Sequence, residues 1–150
     1  MSDRATTHNL NDLIEIARDG KDFYTEASAE VKNAELSALF SRIASTKSDI
    51  VTALSTQVAA TGGKPAEHGT FAGSMQQLYG KVRAAFGDTA YGYVAELEDS
   101  EDRLLKAFNE VAGDSKLAPA ARSAVERFLP IVRDTHREMS QLKHSMKGAA

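Results

Sequence analysis

The chain has no cysteine among its 150 residues. That excludes disulfide staples, thiolate zinc sites and cysteine nucleophiles, and leaves the redox compartment unmarked. No run of five or more like charges occurs, and 18 Lys+Arg against 21 Asp+Glu give a net charge of only −3. A nucleic acid or an anionic membrane is therefore not an expected partner. No apolar run approaches the roughly 20 residues of a membrane span. The start of the chain, from Met1 to His8, is polar and lacks the apolar segment of a signal peptide. A soluble, cytoplasmic protein is the expectation. No segment alternates strictly between apolar and polar residues, as a half-buried strand would.

Helical periodicity is what the chain does have. A first helix is expected over about residues 9–32, with Asn9 as N-cap and Leu10, Leu13, Ala17, Gly20, Tyr24, Ala27 and Val31 on one face. After a short turn at Asn33 and Ala34, a second spans about residues 35–61, with Leu36, Phe40, Ile43, Ile50, Leu54 and Val58 inward and Gly62 and Gly63 ending it. So short a connection makes an antiparallel αα-hairpin. A loop over residues 62–69 and a shorter helix over about 70–86 follow, and Gly87 and Asp88 interrupt the pattern. Two long helices complete the chain, one over about 89–112 and one starting near Pro119, with Pro130 inside the latter expected to bend it and free the carbonyl of Glu126.

The class is all-α in a single domain over residues 1–150, with 1–8 and 147–150 as frayed tails. The stretch between the hairpins is long enough to travel the length of a bundle, at roughly 1.5 Å per helical residue. Hence the expected fold is a ferritin-like four-helix bundle with a short crossover helix between the two hairpins; an up-down bundle with an appended fifth helix is the competitor.

On the third long helix the stripe Ala90, Val94, Leu97, Glu101, Leu104, Phe108 and Val111 puts a carboxylate on a core position, with Glu98 beside it. A ferritin-like di-metal centre takes single carboxylates from two helices and a Glu-x-x-His pair from each of the other two. Asp19 on the first helix and Glu98 or Glu101 on the third supply the single carboxylates. Both pairs fail. The second helix has Lys47, Ser48, Asp49 and Ile50, and the last has Arg133, Asp134, Thr135 and His136. A cation at a ligand position repels a metal ion and offers no lone pair. At most Asp19, Glu98, Glu101 and His136 remain as ligands. Salt bridges from Glu98 and Glu101 to Lys47 and Arg133, a hydrogen-bonded half-buried His136 and a surface Asp19 are the plainer alternatives.

Leu10, Asn11, Asp12, Leu13 and Ile14, then Asp19-Gly20, Phe23-Tyr24, Leu39-Phe40, the cluster from Glu98 to Asp102, and His136 together give a resemblance over roughly residues 9–145. The chain resembles small bacterial four-helix bundles of the ferritin-like superfamily that are classed as a domain of unknown function. The resemblance implies a ferritin-like fold, points to a stress-related role, and implies no established catalytic activity. In that family the crossover helix often carries a His followed by a Trp, where this chain has Gln76 and Tyr79.

Two functions from different classes follow. One is a non-enzymatic bundle without a cofactor, whose former metal position is a charge cluster and which acts by self-association or partner binding. For this the aromatic group Tyr79, Phe86, Tyr91 and Tyr93 is a candidate interface, most simply of a two-fold homodimer; packing of the crossover is the plainer use of those rings. The other is a metal-binding carboxylate protein that stores or oxidises iron, or holds manganese, at a reduced site, with Lys47 and Arg133 swung outward on their long stems.

Overall fold

Four helices carry the apolar stripes: α1 (Ser2–Glu30), α2 (Ala34–Ala60), α3 (Ala90–Ala112) and α4 (Pro119–Ala149). The computed structural model describes residues 2–70 and 90–149, and no strand occurs among them. The short helix expected over 70–86, with Tyr79 and Phe86, lies outside the described residues.

Helix ends follow local chemistry. Asn33 caps α2, its side-chain oxygen accepting from the Leu36 backbone N–H at 3.0 Å. Gly62 takes φ +82 just past the end of α2, a conformation that costs glycine little. Two expected bounds are corrected. The first helix starts at Ser2 rather than near Asn9, and Asn9 is no cap: it lies inside α1 and donates to Asp114 Oδ2 at 2.8 Å. Residues 2–8 are helical rather than a frayed tail because Thr6 is buried, accepting from the Ala118 backbone N–H at 3.0 Å, and Thr7 lies 3.0 Å from Thr61 between their hydroxyl oxygens. At the other end α4 continues through Pro130 to Ala149, so residue 147 is also helical.

These contacts fix the wiring. The start of α1 lies beside the ends of α2 and α3, while Ser28 and Ser37, joined by bonds of 2.7 and 2.9 Å, tie the end of α1 to the start of α2. α1 is thus antiparallel to α2 and α3. Arg42 and Glu138, 3.1 Å apart, set the first half of α2 beside the second half of α4. α1 packs on α2 and α3, and α4 packs on α3 and α2, which leaves α2 and α3 parallel across a diagonal. α2 ends and α3 begins at opposite ends of the bundle. From Gly62 the chain already climbs α1: Ala66 N–H donates to Asn11 Oδ1 at 2.8 Å, Arg18 Nε donates to the Ala66 carbonyl at 3.1 Å, and the Thr70 hydroxyl donates to Asp19. From Asn11 to Asp19 is about 12 Å of helix.

The core comes in two parts. One holds Leu10, Leu13, Ile50, Leu54, Leu104, Phe108, Val125 and Val132; the other holds Phe23, Tyr24, Phe40, Ile43, Tyr93, Leu97 and Met139. Each helix changes from one part to the other near its middle, and there the side chains are small or polar.

Candidate functional site

That break is a polar layer. α2 supplies Lys47 between Ile43 and Ile50, α3 supplies Glu101 between Leu97 and Leu104, α4 supplies Thr135 between Val132 and Met139, and α1 passes with Gly20. Lys47 Nζ donates to Glu101 Oε1 at 2.6 Å, and the two side chains are 2% and 0% exposed. Two unlike charges taken out of water hold each other across the bundle diagonal. Gly20 lets α1 lie against the lysine stem: a Cβ there would sit 3.6 Å from Lys47 Cε and 3.7 Å from Ser100 Oγ. Thr135 contributes no partner, since its hydroxyl donates to the Ile131 carbonyl of its own helix at 2.9 Å.

Tyr24 completes the layer. Its ring packs edge-on to Phe40 with centroids 5.9 Å apart, and Lys47 Nζ lies 6.0 Å from the Tyr24 ring centre. Burial pushes the phenol well above its ordinary pKa of 10.0, and the negative charge of Glu101 adds to this, with smaller effects from Glu138 and Glu98. Both the Tyr24 hydroxyl and Glu101 Oε2 are enclosed without a well-formed hydrogen bond.

The other candidate ligands go elsewhere. Asp19 is buried at 5% exposure but meets the segment after α2, where Thr70 donates to it. Gly69 lies so close that a Cβ would run into the Asp19 carboxylate. Glu98, whose side chain is 17% exposed, faces Lys143 at 4.0 Å. His136 Nε2 is 3.3 Å from Asp102 Oδ1 without forming a well-aligned hydrogen bond. Arg133 is exposed and outside the layer, so only Lys47 of the two expected cations forms the charge cluster. Among the described residues no three of the His, Asp and Glu side chains come together as a metal-binding group, so Asp19, Glu98, Glu101 and His136 do not form one four-ligand centre. The physical reason is that Lys47 occupies the space beside Glu101, while Asp19 and His136 point to partners on the flanks.

The expected aromatic interface is also corrected in part. Tyr93 is 1% exposed and belongs to the core, and Tyr91 is half-buried. An open groove of roughly 460 Å³ between α1 and α3 is lined by Asp12, Glu15, Arg103, Glu110 and Asp114 among others, and neither Lys47 nor Glu101 reaches it. The sequence pattern misses Tyr24 as a polar member of the layer, Asp102 as the partner of His136, and the Asn11, Arg18 and Asp19 contacts to residues 64–70. Only the spacing of those three along one flank of the first helix, with Gly69 beyond, carries a signal for the last group.

A family model described as Domain of unknown function (DUF2383) matches residues 5–114, and the chain belongs to that family. No curated protein and no solved structure matches the chain.

Proposed function

We propose that this member of the DUF2383 domain family is a non-enzymatic, ferritin-like helical bundle in which the Lys47 ammonium stands where carboxylate bundles hold a metal ion. Its work, stress-related as the family resemblance suggests, is then done through its outer surface, by self-association or by binding a partner protein. One observation carries this: Lys47 Nζ and Glu101 Oε1, 2.6 Å apart, are enclosed at the middle of their helices, between two apolar clusters. An internal cation satisfies the buried carboxylate without a metal and repels one. Among the described residues neither a nucleophile beside a base nor a second core histidine supports hydrolytic or transfer chemistry. The cytoplasm is the proposed location. That rests on the even charge balance of the chain, and no described helix is long and apolar enough to cross a membrane.

The test is elemental analysis of protein purified without chelators, paired with a ferroxidase assay. Less than one transition-metal ion per chain and no iron oxidation are expected. One or more tightly held iron or manganese ions per chain would overturn the proposal in favour of a metal-storing bundle. Light scattering across a range of concentrations tests self-association, for which a dimer is expected; a strictly monomeric mass would leave partner binding as the route of action.

A further inference from the structure

The polar layer places a buried ion pair between two units. Lys47 belongs to the α1–α2 hairpin and Glu101 to the α3–α4 hairpin, and they meet across the diagonal where α2 and α3 run parallel. Above and below the layer the facing side chains are chemically alike. Phe40, Ile43, Ile50 and Leu54 on α2 and Leu97, Leu104 and Phe108 on α3 are all large, apolar and buried. A slip of one hairpin past the other by seven residues, about 10 Å, would exchange one such layer for another and lose little apolar contact. Within the apolar core the polar layer distinguishes the alignments, while the bonds of Thr6 with Ala118 and of Asn9 with Asp114 do so only at one end of the bundle. In a slipped bundle Lys47 would face large apolar side chains and Glu101 would do the same, leaving two buried charges without partners. Pairing like with like is rejected as well, because two first hairpins would set Lys47 against Lys47 and two second hairpins Glu101 against Glu101.

We infer that the Lys47–Glu101 pair selects the partner and alignment of the two hairpins, and that its contribution is to the uniqueness of the bundle rather than to its stability. Buried ion pairs are commonly replaced by apolar pairs of similar volume at no cost, whereas a polar residue at a core position is a known means of fixing register. Self-association of the protein, where it occurs, then uses outer helix faces and not opened hairpins. This inference rests on the proposal that Lys47, not a metal, partners Glu101.

The decisive experiment compares wild type with the double variant Lys47→Met/Glu101→Met and with the exchanged variant Lys47→Glu/Glu101→Lys. Each is studied in chelator by thermal melting, native mass and backbone amide NMR spectra. The double variant is expected to melt at or above the wild-type temperature, yet to show more than one set of amide signals or more than one mass. The exchanged variant, if it folds, is expected to return a single set. A double variant that fails to fold or melts far lower would show that the pair is needed for stability and overturn the inference. A double variant with one set of signals and one mass, as in wild type, would overturn it equally. Metal found in the wild-type protein would instead sink the functional proposal, which separates the two failures.

Discussion

Two buried carboxylates on neighbouring helices, Glu101 at the centre and Asp19 on the flank of α1, are enclosed to nearly the same degree and do different work. Glu101 is sealed between the hairpins and meets the Lys47 ammonium, whereas Asp19 accepts from the neutral hydroxyl of Thr70. Around Asp19 the supporting bonds are modest: Asn11 donates to the Lys64 carbonyl at 3.0 Å and Arg18 to the Ala66 carbonyl at 3.1 Å. One carboxylate joins halves of the bundle; the other fastens the chain that leaves α2. Burial alone therefore does not mark a carboxylate as a metal ligand. What decides its role is which element supplies the nearest donor, and whether that donor carries charge.

Removing one member of the central pair is the sharpest way to break this parallel. Glu101→Met leaves the Lys47 ammonium buried and unpaired, which typically costs about 3–5 kcal/mol, a large share of the roughly 5–15 kcal/mol that holds a domain folded. Urea denaturation should show that loss, and Asp19→Asn should show less, because the amide oxygen of the variant can still accept from the Thr70 hydroxyl. Equal losses at the two sites would mean that removing a carboxylate costs as much on the flank as at the centre.

The flank has its own test in Gly69. A methyl group there meets the Asp19 carboxylate and approaches the Asp19 backbone nitrogen, so the carboxylate must turn away and release Thr70. Overpacking of this kind costs about 1–3 kcal/mol. Gly69→Ala should lower the melting temperature and speed proteolysis between residues 62 and 70. Combined with Asp19→Ala, which vacates the space, the loss should be smaller than the sum of the two single losses. A strictly additive pair would show that the glycine is not there to admit Asp19.

Much of this was legible in the amino-acid order. Stripes three and four residues apart gave the long helices, and the carboxylate at 101 and the lysine at 47 stood on those stripes as charges in need of partners. The pairing follows from register, since each lies near the middle of its helix and the helices run parallel. What the pattern could not supply was direction at the edges. Asp19 is one step from the apolar stripe, and whether it turns inward or outward depends on residues 62–70 lying against it, a long-range contact no local period encodes. His136 has the same ambiguity, resolved by Asp102 from the preceding helix. Thr6 was missed because a polar residue in a polar stretch gives no sign of burial; the turn after α3 covers it.

Tyr24 sharpens the comparison through pH. Its phenol is held protonated well above pKa 10.0, chiefly by burial and then by the charge of Glu101. The unfolded chain loses that proton at the ordinary phenol pKa and the folded chain does not. Between those two values the folded state binds more protons, so stability is intact below about pH 10 and falls as pH rises beyond it. Tyr24→Phe should flatten this alkaline decline relative to wild type. At neutral pH the substitution should change stability little, by about 1 kcal/mol or less, because the enclosed hydroxyl makes no well-formed hydrogen bond there to lose. An unchanged alkaline slope would indicate that the phenol titrates normally and that Glu101 does not act on it.

The smallest effect belongs to a surface counterpart of the central pair. Arg42 and Glu138 also join the two hairpins, with Nη2 donating at 3.1 and 3.2 Å to the two carboxylate oxygens, but their side chains are 61% and 45% exposed. Water screens both charges and the long side chains lose rotamer freedom in meeting, so a double-mutant cycle with Arg42→Ala and Glu138→Ala should give a coupling of only about 0.2–1 kcal/mol. The coupling should nearly vanish in about 1 M salt, where the screening length falls to roughly 3 Å. The Lys47–Glu101 coupling, measured in the same way, should be several times larger and nearly indifferent to salt, because no ion reaches an enclosed pair. If the two cycles gave similar couplings with similar salt dependence, the central pair would be wet in solution. Its power to separate one alignment of the hairpins from another would go with that, since a solvated lysine facing an apolar layer carries little penalty.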